Sequence, residues 1–221
     1  MAEWLNKYRL YFRNRKFLFL AGGGFLFLVL SIIISFFAII YATDRASGPV
    51  TDIILSNLPV FDVDMIFVYG PVLFWILVAG YLVFEPKKIP FTLKSIALFI
   101  VIRSIFISLT HIGPFPVHDQ ITTSGLLGVF TSGNDLFFSG HTGLPFLMAL
   151  VFWDNKYLRW FFIAASIFFG AIVLMAHLHY SIDVFAAFFI TYAISHIAEV
   201  FFKKDRKIFN EGIPVRNSGL L

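Results

Sequence analysis

The sequence predicts an all-α, polytopic membrane protein: a bundle of six transmembrane helices with both termini cytoplasmic. Three observations predict it. The chain of 221 residues is 59% hydrophobic and only 14% charged, with a mean hydropathy of +0.85, far less charge than a soluble domain carries. Its apolar residues form unbroken runs near the ~20 residues that a bilayer core requires, not the alternation of a membrane barrel strand. Its basic residues, net charge +4, sit in short blocks between those runs. That pattern marks one face of a membrane and excludes a nucleic-acid surface.

The first run, Lys16 to Thr43, is far longer than the ~7 to 15 residues of a signal-peptide core and reads as a retained span. The others are Met65 to Phe84, Phe91 to Thr110, Leu136 to Trp153, Leu158 to Ala176 and Asp183 to Phe202. Turn residues punctuate them: Asp44, Gly48 and Pro49; Glu85, Pro86 and Pro90; Gly113, Pro114 and Pro116; Asp154 and Asn155. No repeat or linker divides the chain, so residues 1–221 read as one integral membrane domain, with a basic cytoplasmic segment at 1–16 and a cytoplasmic tail at 203–221. Gly22, Gly23 and Gly24 permit close helix contact, and so a homo-oligomer, without forming a GxxxG face. With no cysteine, disulfides and thiolate-bound metal are excluded.

Sidedness follows from the 17 Lys and Arg. All but Arg45 and Arg103 fall before the first span, at the second and fourth turns, or after the last span, which makes those ends cytoplasmic. The opposite side collects Asp44, Asp52, Asp62, Asp64, His111, His118, Asp119 and Asp135. It also receives two polar clusters, around Ser139 and His141 and around His179 and Asp183. Polar groups at membrane depth need partners or a wet cavity, so two clusters distant in sequence but level in depth define a candidate site on the non-cytoplasmic face.

Ser139 is a favourable N-cap and Gly140 admits close backbone approach, so the fourth span opens as a helix N-terminus suited to a phosphate. His141 stands beside it as an acid or base; the alternative is a cap followed by an interfacial histidine. His179 and Asp183 are four residues apart, on one side if helical. A carboxylate on one ring nitrogen leaves the other free to attack, or Asp183 merely caps the sixth helix. Arg103, two turns inside the third span, matches phosphate oxygens with its guanidinium fork, or pairs structurally with Asp135 or Asp183. His177 and His179 form a His-x-His pair, but no compact ligand set accompanies it, so neither a metal nor another cofactor is expected.

These residues resemble a known family. Gly133 to Thr142, GNDLFFSGHT, resembles the sphingomyelin synthase pattern C-G-D-x-x-x-S-G-H-T, and His179 to Val184, HYSIDV, resembles its H-Y-[ST]-x-D-V. Arg103 and Thr110 look like its third-span signature, and Leu58 to Asp62 is loosely similar to its proline and aspartate loop. Gly133 and Asn134 replace the family's cysteine and glycine. Ile172, Val173 and Leu174 stand where classical lipid phosphate phosphatases, in the same superfamily, carry an arginine. The resemblance implies His179 as nucleophile, Asp183 as its orienter and His141 as acid and then base, with Arg103, Asp135, Ser139, Gly140, Thr142 and Tyr180 binding substrate. It implies transfer of a phospho-head group, of phosphocholine or phosphoethanolamine type, from a glycerophospholipid to an acceptor such as ceramide. Diacylglycerol leaves, a phosphohistidine intermediate carries the group, and no nucleic acid takes part. The alternatives are a phosphatase or phospholipase C-like hydrolase with water as acceptor, and a non-catalytic carrier or channel.

Overall fold

The computed structural model describes residues 8–118 and 136–213, and everything described is helix, turn or loop. Beyond helical residues 8–12 and short 3-10 turns at Leu55–Asn57 and Pro86–Lys88, the helices among the described residues are, in order, α1 (Arg15–Asp44), α2 (Asp64–Phe84), α3 (Ile89–Leu109), α4 (Gly140–Val151), α5 (Lys156–Met175), α6 (Ser181–Phe201) and α7 (Lys203–Glu211). Among the described residues, α1, α2, α3, α5 and α6 are long and apolar enough to cross a membrane.

Local chemistry sets the helix starts. Asn14 caps α1 through Phe17 N–H, and Asn155 caps α5 through the N–H groups of Tyr157 and Leu158, each satisfying donors that a helix start leaves unpaired. Within α1 the buried positions Phe17, Gly24, Ser31, Ser35, Ala38 and Ala42 recur at intervals of three, four and seven, a stripe along one face. That face lies along α3, and a side chain at Gly24 would meet the Pro90 carbonyl oxygen at 3.3 Å. The rest of α1 exposes Phe19, Phe25 and Phe37, as lipid contact requires. α3 is the central helix, burying Phe91, Ser95, Phe99, Arg103 and Ile107.

The fourth span departs from expectation. The apolar run Leu136 to Trp153 yields a helix only from Gly140 to Val151, 12 residues, about 18 Å at 1.5 Å per residue against a core of ~30 Å. Leu136 to Ser139 stay outside the helix, and the carbonyls of Leu136 and Phe138 accept from the side chains of His179 and Arg103. This short helix survives at depth because α3, α5 and α6 enclose it, leaving Leu147, Met148 and Ala149 fully buried. Arg206 of α7 reaches up to donate to the Val151 carbonyl at 3.0 Å, satisfying an acceptor at the helix end.

The tail expected after the sixth span begins with α7. Its Asp205 pairs with Lys94 at 2.7 Å, while Ile208 and Ile213 join Tyr11 and Phe17 in a cluster. The residues leading into α1 and those following α6 therefore share one end of the bundle. The loops 45–63 and 110–118, the Leu136–Ser139 segment and the turn before α6 share the other.

Candidate active site

α5 ends at Met175, and the chain turns through His177, whose φ of 57° lies in the left-handed region. His177 Nδ1 lies 2.9 Å from the Val117 carbonyl, an anchor that offsets the backbone cost. The turn delivers His179, 4% exposed, and Asp183, fully buried. His179 Nδ1 stands 2.9 Å from the Leu136 carbonyl oxygen and 3.3 Å from Asp183 Oδ2. Both partners only accept, so Nδ1 carries the hydrogen and the neutral ring keeps its lone pair on Nε2. Asp183 Oδ2 also accepts from Tyr180 N–H at 3.0 Å, which fixes the carboxylate as well as the start of α6. One carboxylate oxygen of Asp183 thus meets both the start of α6 and the imidazole.

The Ser139 N–H donates to the Asp183 carbonyl oxygen at 3.1 Å, stitching the entry of α4 to the entry of α6. Ser139 is the N-cap of α4, its hydroxyl accepting from Thr142 N–H and Oγ1 at 3.4 and 3.3 Å. Arg103 lies over this first turn, donating from Nε to the Phe138 carbonyl at 2.7 Å. A side chain at Gly140 would come within 3.4 Å of that Nε, so glycine lets the guanidinium settle against the helix start. The cation and the helix N-terminus then act on the same space.

That space is a cavity of about 420 Å³ with Arg103, Gly140 and His141 at its polar end. Its walls are apolar, drawn from Ile32, Phe67, Pro71, Trp75, Phe99 and Leu144. His141 stacks on Phe67, centroids 4.3 Å apart and planes at 24°, and meets Phe169 edge-on at 6.5 Å. Such a volume and lining suit an amphiphile with an anionic end. His179 is not among the residues lining this cavity; its Nδ1 is held at the Leu136 carbonyl, in the segment that leads into α4.

Of the residues expected to bind substrate, Arg103 and Gly140 face the cavity, while Ser139 and Thr142 are buried in the capping of α4. Tyr180 is committed elsewhere. Its hydroxyl donates to the Gly113 carbonyl at 2.8 Å and accepts from Val50 N–H at 3.2 Å, tying both outer loops to the turn. Burial pushes its phenol up, the Val50 N–H pulls against that, and the nearby Asp183 and Asp52 carboxylates add to the rise. The proton therefore stays on the oxygen and serves Gly113. Asp135, with the Gly133-Asn134 pair, lies outside the described residues. Among the described residues no three His, Asp or Glu side chains gather as a metal would need.

Two residues that the motifs do not contain support the site. Phe67 orients His141, as described. Asp52, in the first outer loop, accepts from Ser181 N–H at 2.7 Å and from the N–H groups of Ile54 and Leu55 at 2.8 and 3.1 Å. Burial pushes its carboxyl up, but the hydrogen bonds from Leu55, Ser181 and Ile54 outweigh it and hold the pKa below its ordinary 3.8. Neither has a motif signature; each is found only when the chain is folded.

Residues 132–200 match the family model described as PAP2 superfamily C-terminal. The matched stretch contains His141, His179 and Asp183. It supports a relation to the lipid phosphate phosphatase superfamily, whose members are phosphatases and phosphotransferases. No curated protein and no solved structure matches the chain.

Proposed function

We propose that the chain is an integral membrane enzyme that moves a phospho-head group between lipids through a phosphohistidine at His179, in the manner of the sphingomyelin synthases. Nε2 of His179 attacks phosphorus, the bond to the diacylglycerol oxygen breaks, and protonated His141 gives that oxygen its proton. The acceptor hydroxyl then loses its proton to His141 and attacks phosphorus as the P–N bond breaks, returning both imidazoles to their starting states. Arg103, the α4 N-terminus and, outside the described residues, Asp135 order the head group around the reaction. The whole chain acts as one domain of six spans, both termini cytoplasmic and the site at the non-cytoplasmic rim.

The observation that carries this reading is the double anchor on His179 Nδ1, which leaves Nε2 as the one nucleophilic ring atom. Hydrolysis would use the same imidazoles, and the family match is common to both chemistries; the apolar walls beside His141 favour a lipid acceptor over water. The test is turnover of head-group-labelled phosphatidylcholine by purified protein with and without ceramide. A new labelled sphingolipid is expected with ceramide. Free phosphocholine or phosphate in both arms replaces the transferase by a hydrolase. If His141→Ala and His179→Ala proteins convert lipid at the wild-type rate, the roles given to the two imidazoles fail; if wild type converts no lipid, the enzyme reading gives way to a carrier.

A further inference from the structure

A second cavity, of about 410 Å³, lies at the opposite end of the bundle from His141, lined by Asn14, Lys16, Lys204, Lys207 and Glu211 over an apolar floor of Ile208 and Ile213. We propose that it binds the phosphate of an anionic phospholipid from the leaflet at the α7 end of the bundle. The proposal rests on the membrane reading of the bundle but not on the chemistry at the histidines.

The position of α7 is fixed independently of the lysines. Asp205 is held by Lys94 at 2.7 Å and Arg206 by the Val151 carbonyl at 3.0 Å. Ile208 and Phe209 are buried beneath the helix. After Glu211 the chain turns at Gly212, φ 82°, where a side chain would meet the Tyr11 hydroxyl at 2.8 Å, and Ile213 packs back with Tyr11 and Phe17. With α7 so fastened, Lys204 and Lys207, one turn apart, border the cavity shared with Lys16 of α1. Three exposed lysines bordering one concavity make it a positive surface, and an anion seated there lowers their mutual repulsion. Glu211 borders the same cavity and offsets part of this charge, its carboxylate lying 3.8 Å from the Lys207 ammonium, so its removal leaves the concavity more positive.

The depth of the cavity selects a lipid rather than a free ion. It sits where α1 begins and just after α6 ends, the level of the head groups if those helices span. Phe12, Leu18 and Phe19, exposed beside it, offer an apolar surface along which acyl chains would run. A basic pocket at a helix end on the membrane surface is a recognised way of holding an anionic head group, each lysine contributing about a fivefold preference.

The experiment uses the full chain in detergent with phosphatidylglycerol and phosphatidylcholine added in equal amounts, bound lipid being counted by native mass spectrometry. Wild type is expected to retain phosphatidylglycerol preferentially, Lys16→Gln/Lys204→Gln/Lys207→Gln to lose at least about tenfold of that preference, and Lys156→Gln/Lys203→Gln, which changes exposed lysines outside the cavity, to keep it. Glu211→Gln should raise the preference, an arm that needs no triple variant to fold. Equal loss in the two lysine variants, no preference in wild type, or no rise in Glu211→Gln overturns the proposal. Displacement of phosphatidylglycerol by inorganic phosphate at the same molar concentration would make the free ion the ligand and overturn it too.

Discussion

At the scale of single residues, two side chains outside the motifs make testable demands. The Phe67 ring lies nearly parallel to His141, and in the proposed mechanism this stacking positions the ring that delivers the proton. Phe67→Leu keeps an apolar side chain but removes the flat surface. We expect kcat to fall about 10- to 100-fold with little change in KM, the scale of misplacing a reacting group, and the limb of the bell-shaped pH–rate profile that reports His141 to move. Asp52 makes a demand on stability. Well above pH 3.8 it is ionised in both folded and unfolded chains, and its hydrogen bonds favour the charged, folded form. As pH falls, the unfolded chain protonates first, so the contribution declines below pH 3.8 and is gone once the lowered folded pKa is passed. Thermal melting should therefore show Asp52→Asn less stable than wild type at neutral pH, with the gap closing below about pH 4. His141, His179 and Asp183 were proposed from the sequence because each falls in a compact pattern. Asp52 and Phe67 were not, because nothing local marks them: Asp52 reaches Ser181 across 129 positions.

At the scale of elements, hydropathy located five helices to within two or three residues, because a continuous apolar run bounded by Pro, Gly, Asp or Lys has few other ways to satisfy its backbone in lipid. It failed at the fourth. Phe137 and Phe138 look like helix in a hydropathy plot, yet the carbonyls on either side of Phe137 answer His179 and Arg103, and no apolar scale registers such long-range partners. α7 escaped notice for the opposite reason: it is polar and short, and its order comes from Lys94, Val151 and the cluster around Phe17. The short α4 is tightly fitted at Gly143. A side chain on Gly143 would meet two ring carbons of Phe99 at 2.7 Å and Thr191 Oγ1 at 2.9 Å. Gly143→Ala should cost about 1 to 3 kcal/mol through overpacking, read as a lowered melting temperature. Gly22→Ala, where nothing lies within 4 Å, should leave melting unchanged.

At the scale of the whole molecule, the bundle has two polar ends of different character. One holds Lys94, Asp205, Arg206 and the basic cavity; the other holds the outer loops crossing over Tyr180. The chain has no native cysteine, so single cysteines report sidedness without interference. With an impermeant thiol reagent on sealed vesicles, Asp62→Cys and Lys203→Cys are expected to label from opposite faces. Labelling of both from one face would refute the six-span arrangement with shared cytoplasmic ends. The backbone link from Ser139 to Asp183 has a mechanical consequence. A single amide-to-carbonyl bond holds the entry of α4 against the entry of α6, so displacing one displaces the other. The helix starts that carry the motif residues are thus riveted to each other through main chain, whatever side chains line the cavity beside them.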